Sequence, residues 1–562
     1  MSLRKERRRR DWQNCLGAAA CVLLGLFYLV LRYDSVRHLE FYFRNDAAAH
    51  FMSGVEVADR LTARDWRGLK GVIAAQIYWP FGQSAVLGSF MFFAGVSPMM
   101  AILCTNVVAL GSGLLLFLIG STLTTRGGAI CAWFTLANFL ASPLIVTFAS
   151  STMLEVYALF FLLLTTHLFL LALDSGRRSA FLLAGVGLTS LFFTRYEYGI
   201  IALACMGATL LADQLLRGAD ARGDAARREW SQVATSLALI LLPLSSTLWL
   251  WASLGDPRER LAGIWHALTW RHDSGAFGEL RFLDAARAQD FVGHMMRRFH
   301  AHDGLFYGNA LLSFVALLRW RQGGRKLAFV VLLFLVSTYA VLIHPLREAR
   351  FSIPFFPFFW LLSGYGLAQI LSTVGRAPLR NALAAAGVLV VLAMATPSAH
   401  DFLHSERVRP PFNLAANAHP RELLQLTDSL LERGTVTIIG GLEDSFSPDL
   451  LKWELGRKKD VPLRAHVDSS SNLIRLTRDS GDGSRPEPPF YIAVQQGGRR
   501  EGISSTMRAA IERLAASNDC FRRETRVEVE GRDVVVFQAV APGCTLDGFS
   551  SSARQSAVRP MS

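Results

Sequence analysis

The chain has 562 residues, 51% hydrophobic and 18% charged, with a mean hydropathy of +0.30 and a formal net charge of +13. Soluble domains carry roughly 25% charged residues, so lipid is the expected solvent for much of this chain. The positive charge does not describe a nucleic-acid surface, because the arginines sit mainly in short connections between apolar blocks, where the positive-inside rule places them.

The chain opens on MSLRKERRRR and an apolar block at 15–31. A secretory leader would begin the same way, but no small-residue cleavage site clearly closes the block and many blocks follow, so it reads as a retained first helix. Further apolar blocks occupy 96–121, 129–149, 153–173, 180–193, 200–216, 233–254, 305–318, 327–343, 351–373 and 382–396. A helix crosses a hydrocarbon core in about 20 residues, so the pattern predicts a polytopic α-helical membrane protein of about eleven transmembrane helices.

With the N-terminal arginines in the cytoplasm, the connections 122–128, 174–179, 217–231, 319–326 and 374–381 are cytoplasmic too, and each contains Arg. The opposite face then receives 32–84, the stretch around 150–155, the hairpin 194–198, the loop 255–304, 344–350 and everything after about residue 397.

Ionisable residues on that second face are the candidate chemistry. In FYFRNDAAAHFMSG a helix puts Asp46 and His50 on one face at i, i+4; the plain alternative is an interfacial amphipathic helix with a solvated acid. IYWPFG follows, with Tyr78 and Trp79 as interfacial aromatics and Pro80 ending the segment. Glu155 lies near the start of the block 153–173, where an ionisable group is expensive and defaults to a functional hypothesis.

TRYEYG places Arg195 and Glu197 between two apolar blocks, as a mutually satisfied structural pair or as substrate contacts. The loop 255–304 holds Trp265, His266, His294, His300, His302 and Asp303, and its histidines fit no zinc spacing. HPLREARFSIPFFPFF offers Arg347 and Arg350 with Glu348 between them; the arginine fork suits phosphate oxygens, and headgroup anchoring is the simpler role.

After Thr396 the composition turns polar, with Gly-, Ser- and Pro-rich breaks. Short runs at 435–439, 490–494 and 533–539 alternate with helix candidates at 448–457 and 505–516, which predicts a small soluble α/β domain over 399–562 behind a transmembrane domain over 1–398. Gly440 and Gly441 read as a plain turn, and Glu443 with Asp444 as a solvated acidic loop. A Cys520–Cys544 bridge there requires an oxidising compartment.

Three pieces resemble the GT-C superfamily of membrane glycosyltransferases, especially its aminoarabinose transferase and protein O-mannosyltransferase branch. They are the acid after the first helix with a later aromatic-Pro motif (Asp46, then YWP), the acid opening a later span (Glu155), and REARFSIPFFP. The third is also similar to the KExRF…P…P pattern of lipid-linked-oligosaccharide and GPI mannosyltransferases. The resemblance covers residues 16–371, and it departs from many relatives in carrying Asn45–Asp46 where they have two adjacent acids.

The resemblance implies a hexosyl- or pentosyltransferase of the bacterial inner membrane with its C-terminal domain in the periplasm. Its donor would be a polyprenyl-phosphate-linked sugar and its acceptor a glycan, lipid or protein. Asp46 would act as base with Glu155 as a second catalytic acid, and Arg347 and Arg350 would bind the donor phosphate. His50, Tyr78, Trp79, Arg195, Glu197 and Asp303 would line the pocket, with membrane lipids around it. A divalent metal is neither required by the sequence nor excluded by the resemblance. The rival classes are a lipid-linked-glycan transporter or flippase, which predicts inverted repeats that the sequence does not display, and a non-catalytic glycan-assembly protein.

Overall fold

The computed structural model describes residues 45–77, 80–124, 127–149, 151–218, 224–269, 300, 302–343, 349–404 and 421–432, together with position 456, several positions between 17 and 30, and six strands within 436–539. The chain divides into two compact units, one comprising Met1–Leu39 and Ser53–Val408 and the other Glu40–Met52 and Arg409–Ser562.

Ahead of the long helices come α1 (Asn45–Thr62), α2 (Trp66–Ala75) and α3 (Gly82–Ala94). Then follow α4 (Pro98–Leu123), α5 (Gly128–Leu140), α6 (Pro143–Ala149), α7 (Leu154–Ser175), α8 (Arg178–Phe192), α9 (Tyr196–Gly218), α10 (Asp224–Ala252) and α11 (Pro257–Thr269). The helical series ends with α12 (Asp303–Leu318), α13 (Gly324–Ile343), α14 (Phe356–Ser372) and α15 (Ala377–His404). Among the described residues six helices are long and apolar enough to cross a membrane, in α4, α7, α9, α10, α13 and α15. Shorter apolar helices include α3, α5, α8 and α12.

Where the sequence reads one span at 129–149, the structure has two helices. Pro143 lacks the N–H that would continue α5 and disfavours a helical residue before it, so the chain turns at Ala141 and Ser142 and restarts as α6. The candidates at 180–193 and 305–318 appear as α8 and α12, of 15 and 16 residues. Ten of the seventeen positions of the first block, 15–31, are described, and all ten are helical.

Apolar side chains cannot drive helix against helix inside lipid, and the interior uses small residues and polar ties instead. A Cβ on Gly366 of α14 would stand 1.9 Å from Leu312 O of α12, so only glycine admits that approach. Asn309 Nδ2 donates to Asn138 Oδ1 over 2.7 Å, joining α12 to α5, and the hydroxyls of Ser313 and Ser363 lie 2.9 Å apart between α12 and α14.

In the second unit α16 (Arg421–Leu431) packs on a mixed sheet of order β2-β3-β1-β4-β6-β5. Its strands are β1 (Val436–Ile439), β2 (Leu463–Asp468), β3 (Leu473–Arg478), β4 (Phe490–Gln495), β5 (Phe521–Val529) and β6 (Arg532–Ala539). β1 and β4 pair in parallel, in register Val436 to Phe490, and the other pairs are antiparallel. Three strands coincide with the apolar runs of the sequence. β2, β3 and β5 were not expected, because LRAHVD, LIRLTR and FRRETRVEV intersperse arginines and other polar residues among the apolar ones. The helix candidates 448–457 and 505–516, Gly440, Gly441, Glu443, Asp444, Cys520 and Cys544 lie outside the described residues, apart from position 456.

Candidate functional site

The three connections ahead of α7, ahead of α9 and ahead of α14 converge in the first unit. Glu155 sits in the first turn of α7, 1% exposed. Arg195, in the turn between α8 and α9, donates from Nη1 to Glu155 Oε1 over 2.9 Å, and its Nε stands 3.5 Å from Glu197 Oε2. Arg350, in a 3-10 turn at Ala349–Ser352, brings its Nε to 3.8 Å from the same Glu155 oxygen. One carboxylate oxygen thus faces two guanidiniums.

Aromatic rings hold the two arginines. Phe351 lies under both, with the guanidinium carbons of Arg195 and Arg350 5.2 Å and 5.1 Å from its centroid, and Tyr198 lies 5.4 Å from Arg195. Burial alone favours a neutral guanidinium; Glu197, Tyr198 and Glu155 together outweigh it and raise the Arg195 pKa, so the group stays charged. Glu155 Oε2 and the Tyr198 hydroxyl are buried without a hydrogen-bond partner among the described residues.

The segment after the aromatic-Pro motif closes one side of this cluster. Gln83 donates to Thr152 O, three residues ahead of Glu155, and Gly82 N donates to Phe193 O over 2.6 Å, two residues ahead of Arg195. A Cβ at Gly82 would meet Thr194 Oγ1 at 2.4 Å and Phe193 O at 2.6 Å, so the close approach requires glycine. Tyr196 donates its hydroxyl to Ile77 O over 3.0 Å, which ties the other side of the motif to α9.

A further buried cation lies within electrostatic reach of Tyr196, the residue that follows Arg195. Arg260 of α11 is 4% exposed, stacks 4.7 Å above Trp251, and has Nε and Nη1 buried without a partner among the described residues. An unpaired buried guanidinium costs stability unless something else supplies its acceptors.

No family model matches the chain, and no curated protein matches it. Among solved structures it is similar to ArnT from Cupriavidus metallidurans bound to undecaprenyl phosphate, with TM-score 0.57 and 13% identity over 93% of this chain and 98% of that one. The apo state of the same protein matches with TM-score 0.55 and 13% identity over 93% and 99%. The archaeal oligosaccharyltransferase AglB from Archaeoglobus fulgidus aligns with TM-score 0.47 and 11% identity over 79% of this chain and 59% of its own length. This chain shares the fold of ArnT.

On that fold, Glu155, Arg195, Glu197 and Arg350 stand together. Asp46 is the second residue of α1 with its side chain outside the described residues, and His50 of the same helix is buried. Tyr78, Trp79 and Arg347 lie outside the described residues. Asp303 is exposed in the first turn of α12, where a carboxylate suits the helix N-terminus. Among the described residues no group of three His, Cys, Asp or Glu side chains is placed to hold a metal ion.

Sequence reading missed Arg260, Gln83 and Phe351 as members of this site. Nothing in PRERLAG separates Arg260 from Arg258, since what sets it apart is burial against Trp251 from the preceding helix.

Proposed function

We propose that the chain is an integral-membrane glycosyltransferase that moves a hexosyl or pentosyl group from a polyprenyl-phosphate donor to a glycan, lipid or protein acceptor on the periplasmic face of the bacterial inner membrane. In this reading about eleven helices span the bilayer, the N-terminus is cytoplasmic, and residues 399–562 form a periplasmic α/β domain behind the transmembrane domain 1–398.

The observation that carries the reading is the buried Glu155 oxygen facing Arg195 and Arg350 at one end of a helix bundle with the ArnT fold. A long isoprenoid tail stays in lipid, so the enzyme brings an aqueous acceptor to a lipid-borne phosphate at the membrane face. Cations placed there before the reaction stabilise charge as it develops, at no cost of reorganisation.

Asp46 takes the proton of the acceptor nucleophile as its oxygen or nitrogen attacks the anomeric carbon in line. The bond from that carbon to the phosphate oxygen breaks with its electron pair on the phosphate. Arg350 and Arg347 receive this charge, and Arg260, with two unpaired donor atoms among the described residues, adds a third cation. Glu155 serves as a positioning residue, since its Oε1 already accepts from Arg195 and faces Arg350. His50, Tyr78, Trp79, Glu197 and Asp303 remain pocket residues of the proposal.

The test is transfer of labelled sugar from a panel of polyprenyl-phosphate donors by the purified chain in lipid, beside Asp46→Asn. Loss of transfer in the variant with donor binding retained supports the reading; undiminished transfer by the variant removes Asp46 from it.

A further inference from the structure

At the end of α7 remote from Glu155 lies a cavity of about 560 Å³, within the size range of sites for small ligands. Helix ends frame it: Thr122 closes α4, Asp174 closes α7, Arg325 and Lys326 open α13, and Tyr365 and Gln369 come from α14. Glu155 and Asp174 are separated by about 28 Å at 1.5 Å per helical residue, close to the roughly 30 Å of a hydrocarbon core.

The charges at this cavity come as pairs. Lys326 Nζ pairs with the Asp174 carboxylate and donates to Thr122 O over 3.1 Å. Arg325 Nη1 donates to Asp213 Oδ2 over 3.0 Å, and its Nη2 reaches Leu173 O at 3.4 Å. Both cations therefore also cover the carbonyl ends of α4 and α7, which carry partial negative charge.

This balance selects the ligand class. A simple anion would face Asp174 and two carbonyl ends, and a simple cation would face Arg325 and Lys326. A ligand carrying both signs divides the Lys326–Asp174 pair and leaves each member with a partner of opposite sign. The pair is accessible for such an exchange, with the Lys326 side chain 19% and the Asp174 side chain 48% exposed. Asp174 now accepts from a primary ammonium, so a primary ammonium on the ligand replaces it like for like, while the ligand's phosphate takes Lys326 and Arg325.

We propose that this cavity binds a phosphate ester bearing a primary ammonium, the zwitterionic headgroup of an ethanolamine phospholipid in the leaflet opposite the candidate catalytic site.

The experiment is native mass spectrometry of the purified full chain with phosphatidylethanolamine, phosphatidylcholine and phosphatidylglycerol of matched acyl chains, with water-soluble glycerophosphoethanolamine as a fourth probe. Wild type should retain the ethanolamine lipid about tenfold better than the other two, the weight of one charge-assisted hydrogen bond. Asp174→Asn and Lys326→Met should each erase that preference. Equal retention of the three lipids by wild type, or preference for the glycerol lipid, overturns the proposal, as does an unchanged preference in both variants. Binding of the soluble probe as tight as that of the lipid supports the headgroup chemistry and assigns its source to solution. None of these readouts depends on sugar transfer.

Discussion

Arg195 and Glu155 are joined over 2.9 Å across 40 residues of chain, with side chains only 8% and 1% exposed. The pair ties the turn ahead of α9 to the first turn of α7, and Arg350 approaches the same carboxylate oxygen. Arg195 is flanked in sequence by Glu197, and its shorter contact is to the distant acid.

Removing one member of that pair strands the other. Glu155→Gln and Arg195→Met should each destabilise the protein by about 3–5 kcal/mol, read as a lower thermal midpoint of the purified chain in detergent. The double variant Glu155→Gln with Arg195→Met should recover a large part of the loss. A double variant no more stable than the sum of the two single changes would show that the ion pair is not the coupling between these helix ends.

Arg260 should behave in the opposite way. Its guanidinium is buried with two nitrogen atoms unpaired among the described residues, so Arg260→Met, which keeps an apolar stem against Trp251, should leave the thermal midpoint unchanged or raise it. The same variant should raise the KM for a polyprenyl-phosphate donor by about tenfold or more, the scale of a lost charge-assisted hydrogen bond. A fall in stability with an unchanged KM would make Arg260 a structural residue.

Asp46→Asn keeps shape and removes the basic carboxylate. Transfer should fall by about 10²–10⁴-fold, the usual contribution of a general base, with donor retention and thermal midpoint unchanged.

Gly82→Ala tests the clamp between the aromatic-Pro segment and the turn carrying Arg195. The new methyl would meet Phe193 O and Thr194 Oγ1, and overpacking of this kind costs about 1–3 kcal/mol. The expected reading is a lowered thermal midpoint together with reduced transfer, because Thr194 adjoins Arg195.

Asp65 provides a pH-dependent reading at the helix α2. Its carboxylate accepts from Gly68 N over 2.8 Å and from Arg60 Nη1 over 2.8 Å. These bonds, the backbone bond of Gly68 first among them, lower its pKa below the ordinary 3.8. A depressed folded pKa means that the cap stabilises α2 fully above the ordinary aspartate pKa and is lost as pH falls through the lower folded value. The protection factor of the Gly68 amide, the exchange rate of an unstructured amide at the same pH relative to its own, should be high above that range and fall below it, and Asp65→Ala should abolish that change.

Much of the helical part was legible in the amino-acid order, because the length of an apolar block and the charge of its connections are local properties. The blocks at 96–121, 153–173 and 200–216 became α4, α7 and α9 within a few residues. Connections assigned to one face by their arginines meet at Thr122, Asp174 and Lys326, and those assigned to the other meet at Glu155, Arg195 and Arg350. Pro143 could have announced the break between α5 and α6, yet the hydropathy of the block hid it.

What the amino-acid order determined by itself was therefore which segments leave water and which acids and arginines stand at their ends, since transfer of a segment into lipid depends on its own side chains. Only the tertiary structure decided that Glu155 takes Arg195, that Arg260 is sealed against Trp251, and that β2, β3 and β5 belong to the sheet. Those outcomes depend on which helix ends and strand edges are brought together in space, and neither period nor hydropathy along one segment carries the position of its partners.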